Sequence, residues 1–417
     1  MISTRHLATA ILLAQGIAGS VIRRDQPILE RDNNNCPETG TAVYFISNDS
    51  PNTIIALPIG EDGTLSKGTI TPAGGNGSVS FHGQVGVAAK PDGLVSQSSI
   101  TIAGQHLFAV NSGSNTVSMF AISQKDPLSL KAVGSPATVP GEFPNTVAAS
   151  AKNSLVCAGM SGATAGISCA PFSSKTGLGS MDGLRGVALG QTTPPVGPTN
   201  TISHAFFSED ESTLITMVKG DPATNKTGFV SMLPIQQKSS CRKGARASFA
   251  AAQKDLRSTP NGTAVLFGSQ VISGTDTVFA SDASFGAAVL KVDLKAGVAS
   301  TVAAQAIEGQ SATCWTAIAP ATGTAFVTDV GVPRIVEMST KDASIISMLD
   351  LADTGASGFI DLKAAGAFLY ALAPGNGTVD PMIVVMDISG GPATAKPIQM
   401  FDLKGMSGFN SQGLAIL

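Results

Sequence analysis

One unit recurs seven times along this chain: a short apolar strand, a turn rich in Gly, Asn or Asp, then a second apolar strand. The clearest copies are Leu107–Ile122 (LFAVNSGSNTVSMFAI) and Val43–Ile59 (VYFISNDSPNTIIALPI). Others start at Leu155, Leu214, Val278, Phe326 and Phe368. The starts lie about 40 to 65 residues apart, the spacing of propeller blades or somewhat more. A lone hairpin of this kind cannot bury both faces. Hairpins packed radially bury each other and leave only short edges. The repeat predicts an all-β chain folded as one seven-bladed β-propeller over residues 40–417.

Six of the hairpins follow a further apolar stretch: Ser99–Ala103, Thr146–Ser150, Thr201–Phe207, Thr263–Gly268, Ala312–Ala319 and Gly358–Ala364. The first hairpin has none, and the last stretch, Gly413–Leu417, has no hairpin after it. The C-terminal strand is therefore expected to complete the N-terminal blade from its inner side and close the ring, leaving no open edge. Three long segments, Pro72–Gln97, Gly177–Pro198 and Gln236–Pro260, read as irregular insertions that decorate a rim or cover the channel mouth. Within the last of them, Phe249–Leu256 is expected to form a turn or two of helix.

Composition fits close-packed sheets. Apolar residues make up 43% and charged residues 13%, about half the usual charged share. Net charge is −3 and basic runs are short, the densest being Cys241–Arg246, so a nucleic-acid partner is not expected. Residues 1–20 read as a secretory signal: Arg5 and His6, the apolar run Leu7–Ala18, then small residues. Residues 21–39 read as a linker or short pro-segment, with Arg23-Arg24 either a processing site or part of a solvated linker. No later stretch is apolar and long enough to span a bilayer. The expected product is a secreted monomer, free or associated with the cell wall.

Five sequons accompany this reading. Asn76, Asn225, Asn261 and Asn376 are the candidate glycosylation sites. Asn48 is discounted because Pro51 follows its sequon. Of five cysteines, Cys157 and Cys169 flank one hairpin turn symmetrically. They form either a cross-strand disulfide or two buried thiols. Pairing of Cys36, Cys241 and Cys314 stays open. No Cys/His spacing suggests a metal site, and no cofactor is expected.

Several segments resemble the fungal secreted proteins called 3-carboxymuconate cyclases, of the lactonase-type seven-bladed propellers that include a 6-phosphogluconolactonase. They are GSNTVSMFAI at Gly113–Ile122, GEFPNTVAAS at Gly141–Ser150, VKGDPATNKTGF at Val218–Phe229 and ATGTAFVTDVG at Ala321–Gly331. The resemblance runs from about Thr41 to the C-terminus and implies a small acidic or lactone ligand at the channel mouth, with lactonase or cycloisomerase chemistry. Enzymatic members carry a Pro-His pattern entering the third blade. Here the residues are Glu142-Phe143-Pro144-Asn145, without histidine. A second reading is therefore a non-catalytic wall or surface glycoprotein that binds through its rim.

Lactone chemistry needs a proton donor or acceptor and a cation or donor to hold a carboxylate. Glu142, His204 and Lys219 are the candidate catalytic residues. Asn111, Asn145, Asp282, Asp329 and Arg334, from loops expected to share one face, are candidate ligand contacts. The alternative is that His204 is a satisfied channel residue and that the Asp and Asn residues serve turn geometry. Trp315, the only tryptophan, is either core or a stacking platform for a sugar.

Overall fold

A computed structural model describes residues 39–83, 85–238 and 248–417. The expected signal and linker, Cys36, Cys241 and the basic cluster around them lie outside the described residues. The chain is all-β and forms seven antiparallel sheets of four or five strands, plus one three-stranded sheet. The seven sheets are the blades. Their innermost strands are, in order, Gln412–Ile416, Ile100–Ala103, Pro144–Ser150, Ile202–Phe207, Leu266–Val271, Thr313–Ala319 and Ile360–Ala365. The C-terminal strand pairs with Ala42–Ile46 and supplies the inner edge of the first blade, as the sequence predicts.

The middle strands of the blades are buried on both faces. Ala42–Ile46, Leu155–Met160 and Thr213–Val218 are buried throughout. Neighbouring blades cover both sides of these strands, so they read as unbroken apolar runs. Outermost strands meet solvent on one face. Ile345–Asp350 alternates half-buried and exposed at every residue, the period-two pattern of a half-covered sheet. The two tyrosines tie the first blade to its neighbours on either side. Tyr44 donates to the carbonyl of Pro127 at 2.7 Å, and Tyr370 to that of Gly63 at 2.9 Å. Burial pushes both phenols well above their ordinary range.

All three insertions are more regular than expected. Phe249 does not begin a helix: Ser248–Ala251 is a strand, paired antiparallel with Ile235–Lys238. The preceding strand, Phe229–Lys238, extends beyond its blade. The ladder this offers satisfies the backbone of Ser248–Ala251, which outweighs the helix preference of its alanines. The other two insertions meet each other. Phe81–His82 and Val87–Ala88 form a hairpin, and Val196–Gly197 joins it in parallel.

Candidate functional site

The centre of the ring is occupied by the chain itself. After the small hairpin, residues 92–99 pass between the innermost strands, and Leu94, Val95, Ser96 and Gln97 are all almost fully buried. This plug has no regular structure. Asp92, Val95 and Ser98 all have positive φ. Its backbone groups instead find partners on the blades, as buried polar groups must.

Those partners come from a repeated irregularity. Pairing of the innermost strand with its neighbour shifts at Asn145, Ser203, Phe267-Gly268, Cys314-Trp315 and Asp361, and again near Gly413. A bulge re-aims side chains and frees backbone groups. Here the bulges serve the plug. Asn145 donates to Leu94 O at 3.2 Å, and Trp315 Nε1 to Ser96 O at 3.2 Å. The Gln97 amide N–H reaches Ser203 O at 2.8 Å. Gln97 Nε2 reaches Thr316 O at 2.9 Å and Asp361 Oδ1 at 3.4 Å. Gly268 leaves the room Gln97 needs: a Cβ there would lie 2.1 Å from Gln97 Oε1. The second blade needs no such bulge, because its innermost strand continues directly from the plug.

Lys219 lies under the plug, 2% exposed. Its Nζ donates to Val95 O at 2.7 Å and sits 4.4 Å from the Phe267 ring centre. Burial lowers its pKa to about 8, against the opposing pull of Asp92. The Asp92 carboxyl is also buried, and its Oδ1 has no hydrogen-bond partner. Burial raises it to about 7, although Lys219 acts in the other direction. Cys314, a buried free thiol, belongs to the same group, and burial pushes it well up.

His204 lies further along the plug. Its Nδ1 accepts the Ser269 amide N–H at 3.2 Å, and its Nε2 is 2.9 Å from Ser98 Oγ. An amide cannot accept, so Nδ1 carries no proton. The neutral ring is then protonated at Nε2 and donates to Ser98. Burial, helped by the charge of Lys363, holds the ring well below the usual histidine range, so it is neutral at pH 7. It is a fixed donor rather than a free base, and Ser98 is not activated by it as a nucleophile.

At this end the channel opens. A cavity of about 330 Å³ is lined by Gln97, His204, Phe206, Ser269, Gln270 and Lys363, with Glu209 at its rim. Lys363 is 3.5 Å from the buried Asp361 carboxylate and keeps a quarter of its side chain exposed. The cavity is thus a blind pocket whose floor is the plug.

The residues expected to act together are distributed over separate places. Glu142 is at the rim, accepting a hydrogen bond from Thr193. Lys219 is under the plug, and His204 borders the open pocket. Asn111 is fully buried and bonded to Asn52, Thr116 and Ser118. Asn145 holds the plug. Asp282 accepts the N–H groups of Ala264, Val265 and Ser284. Asp329 does the same for Ser311, Ala312 and Gly331. The two aspartates are equivalent positions in successive blades, each stapling a hairpin end to the loop before the innermost strand. Arg334 donates to Glu308 O at 2.9 Å. Trp315 is core, edge-on to Phe267. Cys157 and Cys169 are directly paired across their hairpin and form a disulfide. Asn76, Asn225, Asn261 and Asn376 are exposed, whereas Asn48 is buried and bonded to Ser78.

Sequence reasoning missed Gln97, Ser98, Asp361 and Lys363. The available signal was weak: Asp361 and Lys363 alternate along an otherwise apolar inner strand, which aims both toward the channel.

No protein-family model and no curated protein matches the sequence. Solved structures do match. A periplasmic gluconolactonase from Pseudomonas aeruginosa aligns with a TM-score of 0.59 at 12% identity, over 90% of this chain and 99% of its own. A putative 6-phosphogluconolactonase from Bacteroides fragilis aligns with a TM-score of 0.52 at 10% identity, over 90% and 98%. A second, from Bacteroides uniformis, gives 0.51 at 15% identity over 70% and 80%. At these identities the likeness is one of fold, a β-propeller shared with these proteins.

Proposed function

We propose that this is an exported glycoprotein of lactonase type that binds a small acidic or lactone ligand at the open channel mouth. One observation carries the reading: Lys363, the Gln270 amide and the aromatic wall of Phe206 converge on a single blind pocket at the ring centre. A concave site with an apolar wall and few polar groups suits a small molecule. An ammonium held there can orient a carboxylate or polarise a lactone carbonyl. The chemistry that would follow is ring opening by water. The Cys157–Cys169 disulfide and the four exposed sequons support export into an oxidising compartment.

The test is turnover of five- and six-membered sugar lactones by the purified protein, with Lys363→Ala and His204→Ala beside it. We expect Lys363→Ala to lower kcat/KM about tenfold or more in a protein that still melts cooperatively, at a lower temperature because the buried Asp361 loses its counter-charge. Absence of turnover and of binding in a cooperatively folded protein would sink the reading.

One observation favours a non-catalytic surface protein instead. Phe81, Val85, Val87 and Val196 are large, apolar and 41–63% exposed, all on or beside the small sheet above the plug. Clustered on one small sheet, exposed apolar side chains of this size suit a contact surface. Binding to wall material lost on Phe81→Ser, in a protein inert toward lactones, would establish this alternative.

A further inference from the structure

We infer that the open-mouth pocket accepts ligands carrying at most one negative charge, a neutral sugar lactone or a monocarboxylate, and discriminates against phosphorylated or polycarboxylate ligands. The inference rests on the pocket being the ligand site, as proposed above.

Charge is the first argument. Lys363 and Glu209 are the charged residues that line the cavity. Lys363 is already 3.5 Å from Asp361 Oδ1. Each hydrogen-bond partner of that carboxylate is a donor: the amides of Leu362 and Leu414, both at 2.8 Å, and the Gln97 side chain. Burial raises the Asp361 carboxyl, while the Lys363 ammonium and these donors act the other way; with only donors and a cation around it, Asp361 stands as an anion. Glu209 at the rim also faces donors, the Gly274 amide at 2.9 Å and the Ser273 hydroxyl. One ammonium and two carboxylates leave the pocket with a net charge of −1. Lys363 and Glu209 line the cavity and Asp361 lies directly behind Lys363, a range over which physiological salt, with a Debye length of about 8 Å, screens little.

Donor supply is the second argument. Gln97 spends its amide on Thr316 and Asp361, and its carbonyl accepts from Thr316 N. His204 is used at both nitrogens. The Ser269 hydroxyl donates to Phe267 O. Gln270 gives its Oε1 to the Ile318 amide, which leaves its Nε2 for a ligand. The donors left over are that amide and the free protons of Lys363. Two such groups can hold one carboxylate, or a carbonyl and a hydroxyl. A phosphate dianion calls for a cluster of guanidinium groups or a nest of backbone N–H groups, and no arginine lines this pocket.

The experiment uses stable probes. D-gluconate and 6-phosphogluconate are titrated into the full protein by calorimetry at low and at physiological salt, with Glu209→Lys and Lys363→Ala alongside. We expect gluconate to bind about tenfold or more tightly than 6-phosphogluconate. The gap should shrink as salt rises and narrow further in Glu209→Lys, an exposed position whose loss removes the bonds to Ser273 and Gly274, so its melting temperature is measured beside the titration. Lys363→Ala should weaken both probes. If 6-phosphogluconate binds as well as gluconate, or better, the charge limit is wrong while the site stands. If neither probe binds, or Lys363→Ala changes nothing, the site itself is wrong and the inference falls with it.

Discussion

Lys219 donates to the backbone carbonyl of Val95 at 2.7 Å, joining the end of a fourth-blade strand to the segment that fills the channel. Few buried lysines serve a carbonyl rather than a carboxylate, because desolvating the ammonium is costly. Asp92 sits close enough to offset part of that cost without forming an ion pair. Replacing the lysine tests how far the plug depends on it. In Lys219→Met, Val95 O loses its donor in a dry site, a penalty of about 1–3 kcal/mol. We expect a lower denaturation midpoint, and faster hydrogen exchange at residues 94–99 than in the blades.

Gly268 tests the plug from the opposite wall. An alanine Cβ would fall 2.1 Å from Gln97 Oε1 and 2.7 Å from the Thr316 amide nitrogen. Gln97 is the softer obstacle, yet moving it breaks its bonds to Thr316 and Asp361. Gly268→Ala should cost about 1–3 kcal/mol and alter ligand affinity at the open mouth, since Gln97 is its floor. Gln97→Ala in the same background separates the two effects. If the glycine matters only through Gln97, the double variant should be no less stable than Gln97→Ala alone.

Asp282 and Asp329 distinguish scaffold from binding site. Each carboxylate gathers three backbone N–H groups. Asp282→Ala or Asp329→Ala strands those donors and should cost about 1–3 kcal/mol or more in chemical denaturation. A residue that bound ligand through its carboxylate would instead lose affinity at nearly constant stability. We expect the first pattern, with gluconate affinity unchanged in whatever fraction remains folded.

These aspartates illustrate what the sequence makes legible. The blades were readable because their middle strands are covered on both faces and so appear as continuous apolar runs. Ring closure was readable by counting strands, since Gly413–Leu417 had no other partner. The candidate site was less readable. Asp282, Asp329 and Asn111 stand at hairpin ends, where a turn-forming side chain and a ligand contact look the same. The plug left no periodic trace, because residues 92–99 form no ladder. Its polar residues are buried by six other blades through contacts such as Gln97 to Thr316, more than two hundred positions away. Lys363 and Asp361 came from a strand whose apolar neighbours masked them. Bulges have no sequence signature here beyond Gly268 and Gly413.

The buried Asp92 and Lys219 also fix a pH dependence whose sign can be worked out. Asp92 is raised from its ordinary value to about 7 in the folded protein, so the native state binds its proton more tightly than the unfolded chain. Its contribution is fully present below about pH 4 and is lost as pH rises through 7. Lys219 is lowered to about 8, so the unfolded chain holds that proton more tightly. Stability regained through Lys219 therefore appears only as pH rises from 8 toward the ordinary lysine value. His204 runs against Asp92 on the acid side: its depressed pKa makes stability fall as pH drops below about 6.5. The two acid effects are separated by difference. Melting temperature is measured from pH 4 to 9 for the native protein, Asp92→Asn and His204→Gln. Relative to the native protein, Asp92→Asn should gain as pH rises from 4 to 7, because it no longer has a proton to lose. His204→Gln should gain in the opposite direction, as pH falls below 6.5. Parallel curves for Asp92→Asn and the native protein would mean that Asp92 stays ionised beneath the plug, with Lys219 as its full counter-charge.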